Sequence, residues 1–487
     1  MQFPIRGQFT ALTAVLLLAG CASTNNIEPQ SSLINSQQLQ LSTSTNTAKA
    51  VSINWWTAAN DAQLNALMAD ALKNAPTLKQ AAARVREAEN AVGMANSANG
   101  PNLDLTASSR RDRFSKNTIQ PLAPNMPNPQ PLYETTNNLG LNFSYEFDWW
   151  GKYRNQVNAA KAQVNAAQAE QQQTALSLTS AIASAYYQLQ SNYAMQELLN
   201  KQIQSYQALA EINQQQYNAG VVGIEVWQQS QAQAQVDINR QMVTQIQTQI
   251  DLLSHQIAAL TGKSAAGKSA IQRVSLPDSQ WLTPPTELTI NLLGQRPDIT
   301  AQRELVESYE QSVQAARKDF YPSVSISGFA GFTTANFKGT NPTLLEAASK
   351  AWNLAPAISL PIFHAGALQS KLGEESALYD QAVESYNQTI LNAVQDAADA
   401  ITQQQSASQM YQQAQGASQS TEQVYRVAQA QYQSGLTGRL PMLNSETQLL
   451  QQQQAELNAK NNLLQSKIGL IRSLGGGYQA PVVNSKA

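Results

Sequence analysis

The stretch of this chain that comes nearest to a catalytic signature is Gly262-Lys263-Ser264-Ala265-Ala266-Gly267-Lys268-Ser269. The spacing G-x-x-x-x-G-K-S cradles nucleotide phosphates when a buried strand enters the loop and a helix leaves it, aiming backbone amides at the anion. Here a helical pattern enters and Val274-Ser275-Leu276-Pro277 leaves, so the required context is missing and the stretch reads as a linker. Asp396 and Asp399 share one helix face at i, i+3, which could suit general acid–base work but equally a solvated or lumen-facing pair. His255 and His364 each lack a second ligand at metal spacing, and no Ser, Thr or Cys nucleophile has a motif around it. The residues predict no catalytic group, no cofactor and no metal.

The remaining candidate for chemistry is Cys21, the only cysteine in the chain, so no disulfide framework exists. It follows Arg6 and a short apolar run over 11–19, the pattern of a signal peptide rather than of a permanent membrane helix. Leu18-Ala19-Gly20-Cys21 resembles a bacterial lipobox, in which the cysteine is lipidated, and Ala22 favours sorting outward. One acylated terminus is a modest anchor, so firm residence in a membrane needs a second signal. Charged residues make up 13% and the net charge is −2, with Gln, Asn, Ser and Thr supplying the polarity. Without a basic surplus nucleic acid is not an expected partner. No later stretch reaches 18 consecutive apolar residues, so any further span must be a barrel.

A single internal repeat sets the architecture. Ala75-Pro76-Thr77-Leu78 is echoed by Arg296-Pro297-Asp298-Ile299, and Pro101-Asn102-Leu103-Asp104-Leu105 by Pro322-Ser323-Val324-Ser325-Ile326. Both proline pairs lie 221 residues apart, while Gly151 and Gly366, like Gly220 and Gly435, lie 215 apart. The difference falls where Pro121, Pro124, Pro127, Pro129 and Pro131 mark a longer loop. The expected organisation is a signal peptide over 1–20, a lipidated extended segment over 21–54 and a first repeat over 55–261. A linker over 262–290, a second repeat over 291–474 and a flexible tail over 475–487 follow.

Each repeat reads helix, strand, loop, strand, long helix, turn, return helix. Leu139, Leu141, Phe143, Tyr145, Phe147 and Trp149 alternate with polar or small residues, as in a membrane strand with lipid outside and water inside. A half-buried strand of a soluble sheet would read the same way. In the second repeat Val324 and Ile326 alternate with serines, and Leu354, Ile358, Leu360 and Ile362 share a face that Pro356 and Pro361 weaken as an interior strand. Four strands cannot close a membrane barrel, which needs about eight, so several copies must share one. From Lys152 to Ala219 there is neither Gly nor Pro, enough helix to reach roughly 100 Å at 1.5 Å per residue. The matching stretch from Ala367 to Ser434 contains Gly373 and Gly416, where a break is expected, and return helices are expected over 224–260 and 441–470. Val157, Val164, Ile203, Leu209 and Ile212 form narrow seams between amide-rich sides, suiting helices wetted on two faces.

In order and doubling, these features resemble the outer-membrane factor (TolC) family, and most closely its NodT-type efflux lipoproteins. The resemblance rests on the lipobox, on Ser144-Tyr145-Glu146-Phe147-Asp148-Trp149-Trp150-Gly151-Lys152, on Arg296-Pro297-Asp298-Ile299 and on the paired Tyr-x-x-Gly turns. It covers the chain from Trp55-Trp56 to Gly475-Gly476-Gly477. It implies a mixed α and β membrane protein with four transmembrane strands per chain, a twelve-stranded barrel in a homotrimer, a long helical periplasmic tunnel and a small mixed equatorial region. It also implies outer-membrane lipid, a periplasmic adaptor and an inner-membrane pump as partners, the duct itself being passive. Two rivals are a periplasmic adaptor, which should lack aromatic-ended strands, and a coiled-coil lipoprotein spacer without a pore.

By the same resemblance, Gly220-Val221-Val222-Gly223 and Gly435-Leu436-Thr437-Gly438 are adaptor-docking tips, and Tyr432 is a gate residue. The family's gate aspartate falls on Asn444, and its first-repeat counterpart on Val226, with Glu225 one place earlier. A three-fold ring at Asn444 would be neutral and would lack the mutual repulsion and cation attraction of three carboxylates. Closure is therefore expected to rely on helix packing and Tyr432, with Glu225 as the acidic substitute.

Overall fold

The structure is a computed structural model that describes residues 27–35, 38–39, 52–115, 133–221, 226–265, 271–277, 295–336 and 343–479. Cys21 and the proline-rich loop lie outside the described residues. A 3-10 helix (Trp55–Ala59) leads into α1 (Ala62–Asn74) and α2 (Pro76–Ala98), then β1 (Asn102–Arg113) and β2 (Tyr133–Phe147). The long α3 (Lys152–Asn218) and its return helix α4 (Val226–Leu260) complete the first repeat. The second runs through α5 (Pro297–Lys318), β3 (Ser323–Asn336), β4 (Lys350–Ser359), α6 (Ala367–Gln433) and α7 (Arg439–Ser473). No described helix is long and apolar enough to cross a membrane.

The expected break in the second long helix is absent: α6 runs without interruption through Gly373 and Gly416. Each glycine costs about 1 kcal/mol of helix propensity, too little to open a helix of 67 residues rich in Ala and Gln. The last strand is also shorter than expected. It stops at Ser359, leaving Leu360 and Ile362 beyond it, because Pro361 has no N–H to continue the ladder. Pro356 does lie within β4, opposite Ile326, on a strand that forms one edge of this chain's sheet. Pro441 sits in the first turn of α7, where a missing N–H costs nothing.

The chain divides into two compact units, each drawing on both repeats. The first comprises Met1–Ser32, Arg86–Asn165 and Glu304–Glu384 and holds the sheet. Its four strands run in the order β1-β2-β3-β4, every neighbour antiparallel, so the two hairpins join through β2 against β3. The registers line up apolar side chains on one face: Leu105, Leu141, Ala330 and Trp352 form one row, and Leu103, Phe143, Gly328 and Leu354 the next. That face is bare, with Trp352 80% exposed. The opposite face carries Asp104, Asn142 and Asn353, and Asn142 Nδ2 donates to Thr106 Oγ1 at 2.7 Å. Strand alternation thus gives one lipid-compatible and one wet surface. Where the chain leaves β2, Trp150 Nε1 donates to the Pro322 carbonyl at 2.7 Å and its ring packs on Tyr321. Asp148 accepts from the backbone N–H groups of Tyr153 and Arg154, covering orphan donors at the start of α3.

The second unit comprises Leu33–Val85, Ala166–Arg303 and Ser385–Ala487. Its largest core buries Trp55, Leu64, Met68, Ile182, Tyr186, Leu189, Ile257 and Ile471. Each such side chain contributes roughly 1.5–3 kcal/mol by leaving water. Tyr186 donates to Asp61, which also caps α1 through the N–H groups of Gln63 and Leu64. The repeat is visible at the ends of the return helices. Gly262 has φ +75°, and a Cβ there would meet the Asn74 carbonyl oxygen at 2.8 Å. Gly475 has φ +84° and stands in the same way against the Gln295 carbonyl oxygen, at 2.2 Å.

Candidate functional site

Besides the sheet described above, the residues singled out from the sequence gather at the end where the long helices turn back. At that end α3 and α6 stop in the same way. The Gly220 N–H bonds to the Tyr217 carbonyl and the Val221 N–H to the Gln216 carbonyl, at 3.0 and 3.1 Å. In the second repeat Gly435 bonds to Tyr432 and Leu436 to Gln431, at 3.0 and 2.9 Å. This pairing closes a helix with a left-handed residue, and both glycines have φ +71°. Open space surrounds both glycines, so conformation rather than crowding selects them.

The turns present apolar side chains outward: Val221 is 47% exposed and Leu436 is 77% exposed. Thr437 and Gly438 continue the second turn, and Gly438, in extended conformation, precedes α7. Val222, Gly223 and Glu225 lie outside the described residues, and Val226 is known only as the first residue of α4. Behind the turns, Leu209 and Ala210 of α3, Ala232 of α4 and Leu443 of α7 are buried together. The turns therefore rest on a packed base joining three helices.

The two gate candidates of the second repeat occupy exposed positions. Tyr432 lies in the last turn of α6 and Asn444 near the start of α7. Among the described residues neither side chain makes a hydrogen bond, so the chain does not bring the two together as a latch. The polar link that is present was not singled out from the sequence. Glu446, two residues beyond Asn444, accepts from Ser205 Oγ of α3 at 3.1 Å. Tyr425 of α6 has its hydroxyl pKa raised, first by burial and then by the charge of Glu446 and a hydrogen bond to it. One carboxylate thus serves three helices. Its sequence signal was weak but real, because Glu446 is the single acid between Arg439 and Ala455.

The nucleotide-like loop is put to a different use. Gly262 ends α4 against the chain entering α2, Lys263 pairs with Asp70, and a helix rather than a strand leads in. Gly267, Lys268 and Ser269 lie outside the described residues. Asp396 is engaged by Arg296, at 3.4 Å, while Asp399 is exposed. His255 and His364 are both exposed, and no group of metal-binding side chains occurs among the described residues.

The model of the family described as outer membrane efflux protein matches residues 67–263 and 288–476. The multidrug resistance outer membrane protein MdtP of Shigella flexneri is 30% identical over 481 residues, covering 98% of this chain and 97% of the relative. Among solved structures, the Campylobacter jejuni CmeC outer membrane channel is similar with a TM-score of 0.77 and 26% identity, over 93% of this chain and 95% of that one. The outer membrane protein VceC of Vibrio cholerae gives a TM-score of 0.75 and 32% identity, over 88% of this chain and all of that one.

Proposed function

This chain belongs to the outer membrane efflux protein family, and from that premise we propose how its own residues make an outer-membrane efflux channel. The observation that carries the proposal is the sheet. Four antiparallel strands expose one apolar and one polar face and leave β1 and β4 with unpaired backbone groups along both edges. Hydrocarbon does not tolerate such edges, which cost several kcal/mol for each unsatisfied group. Pairing β4 of one copy with β1 of the next satisfies them, and three copies close a twelve-stranded barrel.

Channels of this family work with periplasmic adaptors and inner-membrane pumps, and the energy for transport comes from the pump. We assign adaptor docking here to Val221 and Leu436, presented by the two glycine turns. Loosening of the helices behind the turns then opens the duct. Tyr432 narrows the closed end, Asn444 leaves it without a charged ring, and Glu225 supplies what acidity it has. Cys21 carries the lipid that adds to the barrel as a second membrane attachment. The duct's own residues bind and guide, and no catalytic step is assigned to any of them.

Reconstitution in planar bilayers tests this reading. Wild-type protein should conduct ions in steps of uniform size, and adding its adaptor should raise the open fraction. Val221→Asp with Leu436→Asp should leave conductance intact and abolish the adaptor's effect. Bilayers that stay silent would overturn the duct. An adaptor response that survives both substitutions would overturn the assigned docking residues.

A further inference from the structure

Ahead of the first helix, residues 27–35 and 38–39 form no helix or strand, yet strong contacts hold them. In the first unit the backbone N–H groups of Gln30 and Ser31 both donate to Asp380 Oδ1 of α6, at 2.9 and 2.8 Å. Ile27 packs beside Val313 and Ala316 of α5 and Leu372 of α6. Ile27, Pro29 and Ser31 are half-buried while Glu28 and Gln30 are exposed, the alternation of an extended chain lying on a surface. In the second unit the Ile34 N–H donates to Asn387 Oδ1 at 2.8 Å, and Ile34 and Leu39 pack on Ile299, Ile390 and Ala393. Asp380 and Asn387 stand seven residues apart in the sequence of α6.

We propose that Asp380 and Asn387 form a latch for the chain's own N-terminal segment, and that this latch sets the length of the membrane tether. The contacts suit that task. Peptide N–H groups are read alongside three apolar side chains, and two of the three hydrogen bonds go to one carboxylate, the charge-assisted kind that is roughly twice as strong as a neutral bond. Their effect on reach is large. Five residues separate Cys21 from Ile27, and the six steps between them span at most ~20 Å when fully extended. With the segment undocked, the free stretch runs to the helix that begins at Trp55, and the same count gives more than ~100 Å. Docking therefore turns a long slack leash into a short one, fixed to the long helix of the second repeat. The tether's role rests on the assignment of lipid to Cys21; the latch itself does not.

Hydrogen exchange measured by mass spectrometry on the full-length protein in detergent reads the latch directly, because its donors are amide protons. In wild type the amides of residues 30, 31 and 34 should be protected. Asp380→Ala with Asn387→Ala should speed their exchange at least about tenfold, with bilayer conductance retained. Gln30→Pro, Ser31→Pro and Ile34→Pro together remove the donors without touching α6, and should release the amides of Ser32 and Leu39. This second variant keeps the test decisive if the first fails to conduct. Cys21→Ser should leave protection unchanged while removing the acyl mass from the N-terminal peptide of the mature protein. Fast exchange in wild type, or protection that survives both latch variants, overturns the latch. A latch that responds as expected while the wild-type N-terminal peptide carries no acyl chain overturns the tether and leaves the latch standing.

Discussion

Lys152, the first residue of α3, places its ammonium 2.8 Å from the carboxylate of Asp319, the residue that follows α5. Lys371 of α6 reaches the same carboxylate at 2.6 Å, so one acid holds helix ends from both repeats together. Burial pushes the Asp319 carboxyl up, but hydrogen bonds and charge from the two lysines outweigh it and hold it below the usual aspartate range. A depressed folded-state pKa adds stability that is fully present above the unfolded value near ~3.9 and is lost as pH falls through the folded one. Asp319→Asn is predicted to lower trimer stability by about 1–2 kcal/mol at neutral pH, discounted because both lysines are partly exposed. The gap between thermal melts of wild type and variant should narrow below about pH 4 and close only once pH has fallen through the depressed folded-state value, and a gap that persists beyond that would assign the loss to packing.

A second prediction concerns the closest approach between strands. A Cβ on Gly140 would lie 2.5 Å from the ring of Phe329, and one on Gly331 would lie 2.3 Å from the carbonyl oxygen of Leu139. A ring can turn away, whereas a ladder carbonyl cannot. Gly140→Ala should reduce the yield of folded trimer, and adding Phe329→Ala should recover part of it. Gly331→Ala should not be recovered by any side-chain change. Heat-modifiable migration on gels reports all three.

Much of this wall was legible in the sequence, for a physical reason. Period-two alternation from Leu139 to Phe147 is imposed by the pleat itself, so β2 could be read one residue at a time. The glycine turns were equally plain, because only a left-handed residue ends both long helices. The joining of β2 to β3 was not legible, since the two strands lie in different repeats and no local signal pairs them. The same holds for Asp319, whose partners stand 167 residues before it and 52 after it. Gly373 and Gly416 misled because each was weighed as a break, when a glycine costs a helix of 67 residues only about 1 kcal/mol.

Arg296 offers a third prediction. Its guanidinium binds Asp298 through Nε and Nη2 and donates from Nη1 to the Ser473 carbonyl at 2.9 Å, at the end of α7. Burial opposes its charge, yet Asp298 and Asp396 raise its pKa overall. Lysine keeps the charge but loses the planar fork, so Arg296→Lys should destabilise the protein by about 2 kcal/mol. Faster hydrogen exchange in residues 470–478 should accompany the loss. Unchanged exchange there would mean that the carbonyl contact contributes little.

The gate reading predicts a gain of function. With Asn444 in place, closed channels should show only weak block by divalent cations. Asn444→Asp should create a ring of three carboxylates and strengthen that block at least about tenfold, relieved by low pH as the carboxylates protonate. Strong block in wild type, abolished by Asn444→Ala, would contradict a neutral ring.

The central claim is that the open edges of one chain are closed by copies of itself, and cysteine crosslinking across those edges tests it most directly. Single cysteines placed along β1 from Asp104 to Ser108, each combined with one at Ala351 of β4, would be oxidised in intact outer membranes. At least one pair should yield a covalent trimer with little material beyond it, because three copies close the ring. Conducting protein in which no β1–β4 pair links, or in which links stop at dimers, would contradict the account.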